Sequence, residues 1–173
     1  MQLNKQMLNE LFEYRDGEIY YKVSRSRNKA GSKAGTYRKH DNAYQVIIGG
    51  KHYLVHRVVF MLHHGYMPEM VDHIDGNRAN NKIENLRQAD VNQNAQNAVK
   101  RKDNTSGVKG VNWSKVDKCW RVRVQCKNKR IDFGGYQDLE FADLVSQMAR
   151  EKYHGAYANH GTTLPRPTEE QLA

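Results

Sequence analysis

The chain has 173 residues, and its 28 Lys+Arg against 19 Asp+Glu give a formal net charge of +9. That length holds one or two small domains, and that charge points to a polyanionic partner, of which nucleic acid is the commonest. The two cysteines, Cys119 and Cys126, form no Cys-x-x-Cys pair and have no Cys-His spacing, which argues against a zinc finger or disulfide framework and for reduced thiols. The segment Met1–Lys5 has no apolar signal core and no apolar run is long enough to cross a membrane. The expected location is therefore the cytoplasm of the cell that makes the protein, with no membrane partner.

Taken in chain order, Leu3, Met7, Leu8, Leu11 and Phe12 fall at helical spacing and predict a short amphipathic helix over residues 3–14. Asp16-Gly17 then turns the chain into a strand over Glu18–Val23. From Lys22 to Lys39 there are seven basic residues and no acid, with Gly31, Ser32 and Gly35 interspersed. This segment reads as either an arm along phosphates, carried by Arg25, Arg27, Lys29 and Lys33, or a solvated loop. Tyr44–Ile48, Gly49-Gly50 and Lys51–Val55 predict a hairpin with a two-residue turn. His56–His64 follows as a short helix stopped by Gly65, and Pro68 precedes a strand over Val71–Ile74. Asp72 and His73 are adjacent, so on a strand they point to opposite faces. Asp75-Gly76-Asn77 is turn chemistry. Asp90, with Gln93 three residues on, has the pattern of a helix N-terminus, which puts Asn94 in the first helical turn.

The run Asp72-His73-Ile74-Asp75-Gly76-Asn77, followed by Asn80-Asn81, Asn85-Leu86-Arg87 and Asn94, resembles the HNH nuclease motif, most closely that of phage and intron-encoded homing endonucleases. Val55-His56-Arg57-Val58-Val59 resembles the helix that precedes the motif in that branch. The resemblance implies His73 as general base, Asn85 as a catalytic-loop brace, and Asp72 and Asn94 as ligands of one divalent ion. Asn94 stands where many HNH proteins carry His. An amide oxygen is a hard, neutral donor that suits Mg²⁺ or Mn²⁺ better than Zn²⁺. The resemblance also suggests a phage source and a host bacterial cytoplasm.

After Asn97 the chain becomes polar and basic through residues 98–106, a candidate linker. Three strands are predicted over Lys109–Ser114, Trp120–Gln125 and Lys129–Phe133, then a helix over Leu139–His154 with Ala142, Val145, Ala149 and Tyr153 on one face. Trp120, Val122 and Val124 share one strand face, and Arg121, Arg123 and Gln125 the other. Ser106–Trp113, Trp120–Val124, Phe133-Gly134-Gly135-Tyr136 and the helix from Leu139 resemble an AP2 DNA-binding domain. By position, that resemblance implies that Lys109, Asn112, Arg121, Arg123, Gln125 and Arg130 reach DNA. Asp132 departs from the pattern, where plant members often have an aromatic contact.

The expected fold is therefore α+β. An N-terminal β-rich region leads into a ββα-metal unit over residues 1–97. Residues 98–106 link it to an AP2-like three-stranded antiparallel sheet on one helix over 107–160, and 161–173 form a tail. The expected function is metal-dependent, site-directed hydrolysis of phosphodiester bonds in double-stranded DNA, nicking one strand per site. The chain is expected as a monomer with no protein partner. The alternative is a non-catalytic, sequence-specific DNA-binding regulator with a degenerate HNH unit, which would not need Asp72 and His73 intact.

Overall fold

The computed structural model describes residues 3–25, 28–101, 103–127 and 129–161. The expected contact Arg27, the turn residue Asn128 and nearly all of the tail lie outside them. The chain divides into two compact units, Met1–Asp90 and Val91–Ala173. The division falls at Asp90/Val91 rather than after Asn97, so the helix that carries Asn94 belongs to the second unit. The architecture is mixed α and β, with four α-helices and small antiparallel sheets among the described residues.

In the first unit, helix α1 (Lys5–Leu11) is capped by Asn4, whose side chain accepts from the Met7 N–H at 2.8 Å. It is shorter than the apolar spacing predicts. Phe12 belongs instead to strand β1 (Phe12–Arg15), which pairs with β2 (Glu18–Tyr21) around a two-residue turn. Asp16 and Gly17 both have positive φ, as such a tight hairpin requires. At Gly17 a side chain would also meet the Lys82 backbone N at 3.0 Å. Lys82 Nζ pairs with Asp16 at 2.8 Å, so the hairpin tip lies against the segment just before Asn85.

The basic stretch 22–39 is not a free arm. It contributes β3 (Lys33–Ala34), which adds to β2, and β4 (Thr36–Arg38), which starts a second sheet. β5 (Ala43–Ile48) and β6 (Lys51–Leu54) complete that sheet, turning at Gly49-Gly50 as the sequence predicts. Helix α2 (Val55–His64) ends at Gly65, a left-handed residue whose N–H reaches Met61 O at 2.9 Å. Seven of the ten α2 residues are buried, which makes this helix the spine of the unit. Its Val58, Val59 and Leu62 pack with Leu8, Phe12, Ile19, Val46 and Leu86 in one core. Arg57 on α2 donates to the carbonyls of Pro68 and Glu69 at 2.9 and 3.0 Å. This fixes the entry to β7 (Met70–His73), which pairs antiparallel with β8 (Leu86–Ala89).

The second unit starts with helix α3 (Val91–Asn97). Strands β9 (Val111–Ser114), β10 (Cys119–Cys126) and β11 (Lys129–Tyr136) form one antiparallel sheet with β10 in the centre. Helix α4 (Leu139–His154) matches its predicted span and is capped by Asp138, which accepts from the Phe141 N–H at 2.6 Å. Val108, Val111, Val122 and Ala142 form the core, flanked by Trp120, Phe133 and Val145. Both cysteines are free thiols. No helix among the described residues is long and apolar enough to cross a membrane.

Candidate active site and nucleic-acid surface

β7, β8 and the loop between them position the motif residues. His73 ends β7 opposite Leu86 and is buried, at 4% exposure. Its ring stacks edge to face on that of His56, with centroids 4.8 Å apart. The His73 Nε2 lies 3.2 Å from Asn81 Oδ1, itself buried. This contact holds the ring at Nε2. Burial pushes the His73 imidazole below its ordinary pKa, against the opposing pull of Asn81, Asp75 and Asp72. It is therefore neutral at neutral pH, the state a general base needs. His56 is pushed down to about 3, chiefly by burial and then by the neighbouring His73.

Asn85 lies under the turn, in a short 3₁₀ segment (Ile83–Asn85). Its Oδ1 accepts from the Asp75 N–H at 3.0 Å, and its Nδ2 donates to Asp75 Oδ1 and to Asn80 O, both at 2.9 Å. Its backbone O accepts from the Ile74 N–H at 2.9 Å. Asp75 also accepts from the Asn77 N–H and from Asn80 Nδ2, and this carboxyl lies below its ordinary pKa because those bonds together outweigh its desolvation. One side chain thus ties together both ends of the loop after His73. The Asx turn at Asp75-Gly76-Asn77 is as the sequence predicts, with Gly76 at φ +72°.

Asp72 points away from His73 and meets Arg87 directly across the hairpin. Arg87 Nε and Nη2 both reach Asp72 Oδ2 at 2.9 Å, and the carboxylate is 5% exposed. Two charge-assisted bonds to one oxygen fix the direction of the carboxylate. Among the described residues no three His, Cys, Asp or Glu side chains cluster to hold a metal. A site with a single carboxylate nevertheless fits Mg²⁺, which keeps most of its waters and is commonly held by one or two carboxylates. Asn94 is exposed on α3, in the second unit. Asn81, Asp75, Asn80 and Arg87 were not assigned roles by sequence reasoning. Arg87 was traceable, because a hairpin that joins Asp72 to the Asn85-Leu86-Arg87 run puts the two charges in register.

Residues 53–96 match the family described as HNH endonuclease. The chain is also 40% identical over 88 residues to "Protein 3.8" of Escherichia phage T7, an alignment that covers 51% of this chain and 72% of that protein. The chain belongs to the HNH endonuclease family. No solved structure matches it. The matched region of this HNH endonuclease relative of the phage protein runs from β6 through α3 and contains every motif residue named above.

Outside that region, the HNH protein spreads its expected DNA contacts unevenly. Arg25 and Lys29 are exposed, with the Arg25 backbone bridged to Asn28. Lys33 is paired to Glu18 and lies over the Tyr44 ring. On the second unit's sheet, Asn112, Arg123, Gln125 and Arg130 are exposed and Arg121 is half-buried. Arg121 Nη2 and Arg123 Nε both donate to Asp132 Oδ2, at 2.7 and 3.0 Å. A break in register between Arg121 and Arg123 brings one carboxylate to both guanidinium groups, and Gly134 N–H donates to the other oxygen of Asp132 at 2.8 Å. Those bonds, with Arg121 first, hold the Asp132 carboxyl far below the usual carboxylate range.

Lys109 departs from expectation. It precedes β9, and its Nζ donates to the carbonyls of Gln96, Ala98 and Asn159 at 2.9, 2.6 and 2.9 Å. All three of its donors are used within the protein, so it is not placed to contact bases.

Proposed function

We propose that this chain is a metal-dependent DNA endonuclease that hydrolyses phosphodiester bonds and nicks one strand of a duplex at each encounter. The observation that carries this reading is a buried, neutral His73 held at Nε2 by Asn81, on a strand end braced by Asn85. A non-catalytic regulator would need none of these three to be kept in working order.

In the proposed reaction, His73 Nδ1 takes a proton from water. The water oxygen forms a bond to the scissile phosphorus as the bond to the 3′ oxygen breaks. Asn81 holds the ring while it becomes an imidazolium, and Asn85 keeps the His73 strand end and the following turn in one geometry. Asp72, fixed by Arg87, is the charged ligand for one Mg²⁺ or Mn²⁺. The sequence motif alone adds Asn94 as an amide ligand. When bound, the ion supplies Lewis-acid stabilisation of the charge that gathers on the phosphate and leaving oxygen. The three-stranded sheet on α4 is the proposed AP2-like reader. Arg121, Arg123, Asn112 and Gln125 face the major groove, and Arg130, with Arg25, Arg27 and Lys29, contacts phosphates. One site per monomer accounts for nicking rather than double-strand cleavage. The proposed setting is a phage-infected bacterial cytoplasm.

The test is incubation of the purified full chain with supercoiled plasmid in Mg²⁺ and in EDTA. Conversion to open circle in Mg²⁺ alone supports the reading, and intact supercoiled plasmid in both, with DNA bound, gives the regulator.

A further inference from the structure

The second unit contains a cavity of about 360 Å³ bounded by α3, the exposed end of β10 and the last turns of α4. Six cationic side chains line it, Arg101, Lys109, Arg123, Lys127, Arg130 and Arg150, and no carboxylate does. Two of the six, Arg101 and Arg123, are neutralised by Asp103 and Asp132, which lie outside the lining. Lys109 is not. Lys109 meets only carbonyl oxygens, while Arg150, 1% exposed, donates to Lys109 O, Ser146 Oγ and His160 Nδ1. Asp143 and Glu151 act electrostatically on Arg150, whereas no carboxylate among the described residues does so on Lys109. Lys127 and Arg130 are exposed at the mouth and have no ion-pair partner among the described residues.

Buried charge without a counterion is costly. The fold maintains one such cation, Lys109, and burial lowers it to about 8. Its three donors are spent on the protein, so it acts as a fixed positive field beneath the cavity floor rather than as a contact. A cleft lined by one sign of charge focuses that field outward. The mobile donors for a ligand are those of Lys127 and Arg130 above it. The volume lies in the lower part of the range for small-ligand sites, about 300–1,000 Å³.

We propose that this cavity seats one phosphodiester group of the DNA backbone at the edge of the sheet face, on Lys127 and Arg130. The site rests on the DNA-binding reading above and deepens it. A bound phosphate supplies the counterion that Lys109 lacks, so the site acts as a register clamp that is indifferent to sequence.

The experiment compares full-length wild type with a Lys127→Gln, Arg130→Gln double variant. Both positions are exposed, so the fold is retained. Duplex affinity is measured against salt for a preferred and an unrelated sequence, and amide spectra are recorded with added inorganic pyrophosphate. The expected result is a plot of log affinity against log salt that is flatter by about 2 in the variant, with equal losses on both sequences. Pyrophosphate should move the Gly110 and Arg150 amides of wild type but not those of the variant. An unchanged salt slope overturns the proposal. If pyrophosphate still moves those amides when the slope is unchanged, the cavity serves free phosphate compounds and the DNA assignment falls. Plasmid nicking is followed in parallel. A flattened slope without nicking by wild type supports the clamp and removes the hydrolase reading, whereas nicking with an unchanged slope removes only the clamp.

Discussion

Asn85→Ala should destabilise the first unit markedly, because a small side chain there removes three hydrogen bonds at once. Two of them, to Asp75 N–H and Asn80 O, are neutral bonds worth about 0.5–1.5 kcal/mol each, and the third, to the Asp75 carboxylate, about 1.5–3 kcal/mol. Asp75 is exposed and Asn80 half-buried, so water recovers part of the loss. The net cost should be about 2–3 kcal/mol. For a unit of this size that corresponds to roughly 8–20 °C in Tm. Thermal unfolding of the full chain, followed by circular dichroism and calorimetry, reads the shift. Asn85→Asp is a useful companion, since it loses both donated bonds and places a second carboxylate against Asp75. It should be no more stable than the alanine variant. A Tm for Asn85→Ala within about 2 °C of wild type would refute the bracing role. If activity were lost nonetheless, Asn85 would have to act directly in the reaction.

The remaining expectations concern pH and the sheet. His56 is neutral in the fold and titrates near 3, whereas in the unfolded chain it titrates near the ordinary value of 6.5. The unfolded state therefore takes up the proton first, and stability present above about pH 6.5 is lost as pH falls toward 3, by up to about 1.4 kcal/mol per pH unit. Urea titrations at several pH values should show that slope in wild type and a reduced slope in His56→Leu; equal slopes would remove His56 as the cause. Asp132→Asn keeps an oxygen for Gly134 N–H but releases Arg121 and Arg123, so duplex affinity should rise by roughly 1 kcal/mol with a steeper salt dependence, read by fluorescence anisotropy. Weaker binding would mean that Asp132 orients the pair for DNA rather than masking it. Arg121→Ala with Arg123→Ala should blur site choice, at about 1–3 kcal/mol per lost base contact, while nicking persists at high enzyme and low salt. An unaltered footprint would move recognition to the basic segment around Arg25 and Lys29.

The elements that could be read from the sequence are those with their own punctuation. α4 has Asp138 before it, Gly155 after it and an apolar face at helical spacing, and its span was predicted residue for residue. The Gly49-Gly50 hairpin and the Gly65 helix stop were legible for the same reason. Phe12 misled because its spacing suits a helix as well as a strand, and the neighbouring Asp16-Gly17 turn decided for the strand. β3 and β4 are two and three residues long in a run of basic residues, and cross-chain pairing holds them in place. No local period announces such strands. Within the site, His73 and Asn85 were visible as parts of a spaced motif. The Asn81 contact to His73 and the stacking of His56 depend on how α2 and the long loop pack around β7, which spacing does not encode. Lys109 was misjudged because the AP2 resemblance assigned it by position, at the start of an expected strand, whereas β9 starts two residues later.

The most direct measurement is nicking of supercoiled plasmid by wild type and His73→Ala in Mg²⁺, with duplex affinity determined for both under the same conditions. His73 grips no phosphate in the proposed reaction, so the variant should bind DNA as wild type does. It should lose open-circle formation by at least about 100-fold, the contribution of a positioned general base. Near-normal nicking by His73→Ala, at equal affinity, would contradict the assignment of His73 as the base.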